Sequence, residues 1–207
     1  VLSGEGRAFS AGADLKEGFK GERTTQGRLL FEYGPALTAI ANIPKPVIAA
    51  VSGFAAGIGM SFAMHSDLLV MAEGSFLLSP FTTIGLLPDG GANWMLVKQL
   101  GYHRAYQLCI ESERISAESC LGLGIANRVV AADQLMGNCI EWGNAMAKRA
   151  PLSLAATKKV MRHAMDNDSH SSYTMEAEEQ ERLRASADNF EGVTAFFEKR
   201  EPNFTGK

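Results

Sequence analysis

At 207 residues, with 46% hydrophobic and 21% charged side chains, the chain can bury a substantial core and is not globally disordered. Twenty basic against 23 acidic residues leave a net charge of −3, too even a balance for a nucleic-acid binder. Cys109, Cys120 and Cys139 form no CxxC pair, which reads as buried thiols in a reducing, cytoplasmic setting. No apolar run is long enough to span a bilayer, and His65, His103, His163 and His170 lack metal-ligand spacing.

In chain order, "VLSGEG" reads as the tail of a strand entering a loop, so further residues are expected ahead of Val1. Leu29, Leu30, Tyr33, Leu37 and Ile40 recur at helical spacing, which predicts a helix over 25–41. "PKPVIAAVSG" is a short apolar run between prolines and a glycine, a buried strand over 47–51. "GIGMSFAMHS" has the composition of a buried helix, and "DLLVMA" and "SFLLS" read as short strands. "GGANWMLVKQLG" and "HRAYQLCIES" predict helices separated at Gly101. "ISAESCLGLG" predicts another, capped by Ser116, ahead of a strand in "ANRVV".

From Ala132 onward strand signals cease. Leu135, Cys139, Trp142 and Met146 share one helical face, and Leu152, Ala156, Val160 and Met165 share a second. "SYTMEAEEQERLRAS" and "NFEGVTAFFEKREPNF" complete the series. Strands alternating with helices, then helices alone, predict an α/β core over 1–131 with a helical region over 132–207.

Two glycine-bearing turns, "GRAFSAGADLK" and "SGFAAGIGMSF", each lead into small residues at a helix start. Backbone N–H groups are unpaired there, and two that converge could hold an anionic oxygen, although glycines can equally serve only to turn the chain. Gly57-Ile58-Gly59 is no dinucleotide fingerprint, since Phe62 takes the third glycine position. Ser61, His65 and Asp67 have the residue types of a hydrolytic triad, but no GxSxG elbow accompanies them, so a structural role is expected. Asp89, in "LLPDGGANW", has two readings: helix N-cap or proton carrier facing a pocket.

"GRAFSAGADLKE", "PKPVIAAVSGFAAGIGMSFAMHSDLLVMAEGSF", "IGLLPDGGANWML", "RISAESCLGLGIANRVV" and "AFFEKREPNF", in this order, resemble the enoyl-CoA hydratase/isomerase (crotonase) superfamily. The resemblance runs the length of the chain. It implies an α/β spiral of ββα turns, a C-terminal helical oligomerisation region, and a homotrimer or dimer of trimers. It also implies an acyl-CoA thioester as substrate, with no separate cofactor, metal, nucleic acid or membrane partner.

By the same resemblance the thioester oxygen lies between the amides of Ala13 and Ile58, where Ile58 departs from the family's usual glycine. Ala11, Ala13 and Leu15 would line the adenine site, with Lys16 near phosphate, and Gly12, Asp14, Gly57, Phe81 and Leu86 would also bind substrate. Phe196 and Lys199 match positions that touch the coenzyme, often across a subunit boundary. The two glutamates of the hydratases are replaced by Ser61 and Phe81, which disfavours hydration. Asp89 matches the single acid of several isomerase branches, with Phe81, Ile84, Leu86 and Leu87 as apolar surroundings. The resulting expectation is a 3-enoyl-CoA to 2-enoyl-CoA isomerase. The alternatives are a ring-opening isomerase of an epoxidised aromatic acyl-CoA and a non-catalytic acyl-CoA binder.

Overall fold

A computed structural model of the chain describes residues 1–16 and 24–207. Glu17, which closes the first quoted motif, lies outside the described residues. The chain divides into two compact units, 1–41 with 47–140 and 42–46 with 141–207.

The first unit holds two sheets. Strands β1 (Leu2–Ser3), β2 (Ile48–Val51), β4 (Leu68–Ala72) and β7 (Arg128–Val130) form an all-parallel sheet in the order β1-β2-β4-β7. Every residue of β2 is buried, as are four of the five in β4. Parallel strands covered on both faces need continuous apolar sequence, and "IAAV" and "LLVMA" supply it. The second sheet pairs β3 (Phe54–Ala56) parallel with β5 (Phe76–Leu78), and β5 antiparallel with β6 (Arg114–Ser116).

The path between the sheets is repeated. The chain leaves β2, turns at Gly53 and enters β3; it leaves β4, turns at Gly74 and enters β5. Gly53 has φ +55°, and a Cβ there would collide with the Arg7 carbonyl, so only glycine fits. A strand in each sheet followed by a helix makes a ββα turn, and successive turns stack as the spiral that the family resemblance implied.

Helix α3 (Ile58–His65) follows β3, and a 3-10 turn, Phe81–Ile84, follows β5. Helices α4 (Ala92–Leu100), α5 (Tyr102–Glu111) and α6 (Ala117–Gly122) come next, and Ser116 caps α6 by accepting the Ser119 amide, as predicted. The helix predicted over 25–41 is helical throughout but not uniform. It comprises α1 (Thr25–Arg28), a π-helical turn at Leu29–Tyr33 and α2 (Gly34–Asn42). β3, β6 and the 3-10 turn were not read from the sequence.

Cys109, Cys120 and Cys139 are free and buried; burial pushes all three thiols up, Cys120 to about 12, so they stay protonated. Helix α7 (Leu135–Ala147) spans the boundary of the two units.

The second unit is built on α8 (Pro151–Ala164), α9 (Ser169–Arg184) and α10 (Ala187–Glu198). Asp168 and Ser186 cap α9 and α10 through the amides of Ser171 and Asn189. Glu179 of α9 binds Lys159 of α8 and Arg182, each at 2.7 Å. Buried Asp188 grips the final residues by accepting the Thr205 and Gly206 amides at 2.7 and 2.9 Å. No described helix is long and apolar enough to cross a membrane.

Candidate active site

Residues 8–13 and the β3–α3 junction, far apart in sequence, are stitched together by main-chain bonds. Phe9 and Ser10 donate to the carbonyls of Ser52 and Phe54, and Ala56 donates back to Ser10. This short parallel bridge brings Gly12 against Gly57: a Cβ added to Gly12 would stand 3.7 Å from the Gly57 Cα. Both glycines have positive φ, +92° and +55°, a backbone that L side chains rarely adopt. The amides that follow them belong to Ala13 and Ile58. Neither donates to an acceptor among the described residues. Ile58 is also the first residue of α3, where the helix adds its partial positive charge. Neighbouring unpaired donors of this kind suit an oxygen that gains negative charge.

Asp89 faces the same space. Its helix-cap reading is overturned: α4 begins at Ala92, its N-cap is Gly91, and no side chain caps it. Gly90 and Gly91 both have positive φ and carry the chain from Asp89 into the helix, which displaces the carboxylate from the cap position. The side chain instead lines a cavity of about 170 Å3, with one carboxylate oxygen buried and unpartnered. Burial pushes its proton affinity above the ordinary carboxylate range, through loss of hydration of the charged form. A partly dehydrated carboxyl with no hydrogen-bond donor is poised to exchange a proton.

The cavity gathers most of the residues named from the sequence. Ala11, Gly12, Ala13, Leu15, Gly57, Ile58, Phe81, Leu86 and Asp89 all line it, as does Ile84. Leu87 does not; it is 70% exposed. Asp14 and Lys16 are also outside the lining, on an exposed loop where the Asp14 carboxylate accepts the Lys16 amide at 2.8 Å. Phe196 and Lys199 belong to the second unit. There Phe196 is exposed along a groove, and Lys199 closes α10 in the left-handed conformation.

Thr25, Arg28, Leu29 and Tyr33 also line the cavity, a role the sequence did not mark. They come from α1 and the π-helical turn. Their spacing is that of one helical face, and Leu29 and Tyr33 already belong to the apolar repeat read there; the period marks the face but not the cavity it lines. Arg28 Nη2 donates to the Tyr33 hydroxyl at 3.4 Å and lies 3.7 Å from Glu32 through Nε.

The side chains that resembled a hydrolytic triad serve the backbone instead. Ser61 Oγ donates to the Asp89 carbonyl, His65 Nδ1 donates to the Ser61 carbonyl, and Asp67 accepts the Val47 amide, each at 2.8 Å. The Ser61 hydroxyl is engaged with a carbonyl and not with His65, so no Ser–His nucleophile pair forms. No cluster of three metal-ligating side chains occurs among the described residues.

Known proteins resemble the chain over its whole length. The family model described as enoyl-CoA hydratase/isomerase matches residues 1–207. A probable enoyl-CoA hydratase of Rhodobacter capsulatus is 37% identical over 207 residues, which span the whole chain and 80% of that protein. The 1,2-epoxyphenylacetyl-CoA isomerase of Escherichia coli K12 is 32% identical over the whole chain and 80% of its own length. The crystal structure of an enoyl-CoA hydratase from Bacillus anthracis superposes with a TM-score of 0.93 at 30% identity, covering 99% of this chain and 80% of that one.

Proposed function

Because the chain belongs to the enoyl-CoA hydratase/isomerase family, we propose that it is an acyl-CoA isomerase that converts a 3-enoyl-CoA to the conjugated 2-enoyl-CoA, with Asp89 as its one acid/base. The observation that carries this reading is that Asp89 is the only carboxylate lining the cavity among the described residues, and it shares that cavity with Ala13 and Ile58, whose amides are unpaired.

The chemistry follows from those parts. The thioester oxygen accepts hydrogen bonds from the Ala13 and Ile58 amides. Asp89 takes a proton from C2, and the electron pair moves onto that oxygen as a dienolate. The protonated acid then returns the proton at C4, and the double bond comes to rest between C2 and C3. One carboxyl serves both carbons because they lie on the same face of a planar dienolate. The amides supply the larger share: loss of one such donor typically costs about 2.7–4 kcal/mol of transition-state stabilisation.

Ser61 and Phe81 argue against hydration. A serine whose hydroxyl is engaged with main chain and a buried phenyl ring offer no second proton carrier to hold and activate water. A non-catalytic binder would have no use for a dehydrated carboxyl facing its cavity. A second reading, ring-opening isomerisation of an epoxidised aromatic acyl-CoA, draws on the similarity to the Escherichia coli enzyme of that name and on Tyr33 in the cavity wall. Parallel assays on linear 3-enoyl-CoA and on the aromatic epoxide distinguish the two. Conversion of the linear substrate supports the first reading, whereas conversion of the epoxide alone replaces it with the second.

A further inference from the structure

The loop that carries Asp89 is gripped from two sides. From α3, the fully buried Ser61 hydroxyl donates to the Asp89 carbonyl at 2.8 Å. From α4, the Asn93 side-chain amide donates to the carbonyl just before it, that of Pro88, at 2.5 Å. The Ala92 amide adds a third bond, to the Asp89 carbonyl at 3.2 Å. Packing is equally close. A Cβ added to Gly90 would stand 2.8 Å from the Ser61 Cβ and would collide with the Ile58 Cδ1. A Cβ on Gly91 would come within 2.9 Å of His65, whose Nδ1 in turn holds the Ser61 carbonyl.

We propose that Ser61 and Asn93 are positioning residues for the reaction: they lock the Asp89 loop onto the helix whose first amide, Ile58, binds the thioester oxygen. The assignment rests on Asp89 being the acid/base. Through α3 the oxygen-binding amide and the proton carrier become one rigid piece, so the separation between thioester oxygen and C2 is matched by a fixed separation in the protein.

The test compares Ser61→Ala, Asn93→Ala, Ser61→Cys and Asp89→Asn with the intact chain, assayed on 3-enoyl-CoA well below each variant's Tm. Loosening the loop should lower kcat by about 10-fold or more in each alanine variant while KM changes little, since misplacement of a reacting group by about 1 Å costs on the order of 100-fold. The acidic limb of the pH–rate profile should move towards the ordinary carboxylate range as water reaches the freed acid. Ser61→Cys, which keeps a donor, should recover part of the rate. Asn93 is exposed, so its truncation tests the idea even if Ser61→Ala folds poorly. Alanine variants that lose only Tm, with kcat and pH profile unmoved beside an inactive Asp89→Asn, overturn the positioning role alone. An active Asp89→Asn removes the reading beneath it and the inference with it.

Discussion

Asp89 carries the chemistry, and its surroundings set the pH behaviour. With the proton affinity raised by burial, the basic form should appear only above the ordinary carboxylate range, so kcat/KM should climb with pH through that raised value. The stability sign follows from the same shift. A carboxyl that binds its proton more tightly when folded favours the folded state at low pH, and that contribution is lost as pH rises through the folded pKa. Asp89→Asn should therefore raise Tm at neutral pH and leave it unchanged in acid, below the pKa of the unfolded chain. It should also reduce turnover by about 100- to 10,000-fold, the usual contribution of an acid/base, with acyl-CoA binding retained in calorimetry. Asp89 was visible in the sequence as an acid between an apolar run and two glycines, but cap and proton carrier were indistinguishable there. What separates them is the position of Gly91, a matter of backbone dihedrals. Ser61 drew notice for the wrong partners: its tie is to a carbonyl 28 residues on, which no local pattern marks.

Among elements, the decisive feature is how closely the first loop meets the start of α3. Gly59 is packed against Ser10, and a Cβ there would collide with the Ser10 side chain, while one on Gly12 would lie 2.9 Å from the Ala56 carbonyl. Gly59→Ala should push the loop and α3 apart, separate the two amides, and cut kcat by roughly 100-fold through loss of one donor. Its far-ultraviolet circular dichroism should remain that of the intact chain. Gly12→Ala should fare worse, because φ +92° is unfavourable for any L side chain. Long elements such as β2, β4 and α7–α10 were legible because their runs or periods exceed one turn or one pleat. β5 and β7, with three residues each, were legible as short apolar runs, whereas the equally short β3 and β6 lie inside segments that read as a glycine turn and a helix, and their pairing with β5 is what makes them strands. The convergence of the two glycine turns was anticipated, but the Ser10–Gly59 contact that enforces it depends on tertiary packing.

At the scale of the whole molecule, the two units should respond to acid in opposite senses. In the second unit, hydrogen bonds from Lys159 and Arg182 hold Glu179 below the usual carboxylate range, and Arg200 holds Glu191 down to about 2. Carboxylates lowered in this way contribute stability above the unfolded pKa, and that contribution is lost as pH falls towards the folded one. Acid should therefore weaken the second unit between the ordinary glutamate range and about 2, where Glu191→Gln should flatten the dependence measured by urea titration. Asp188→Ala should release the chain end and cost about 1.5–3 kcal/mol, the scale of a charged hydrogen bond lost. The overall class was readable because apolar runs and helical periods alternate and then give way to helices alone. The spiral path was not; it came from resemblance, and Gly53 and Gly74, which move the chain from sheet to sheet, show its physical basis.

The most direct measurement follows hydrogen between carbons. A 3-enoyl-CoA deuterated at C2 is converted in ordinary water by the intact protein and by Asp89→Asn, and the product is read by nuclear magnetic resonance. The single-acid mechanism predicts deuterium recovered at C4 of the 2-enoyl product, and no product from the variant. Product formed by Asp89→Asn at the rate of the intact protein would contradict it.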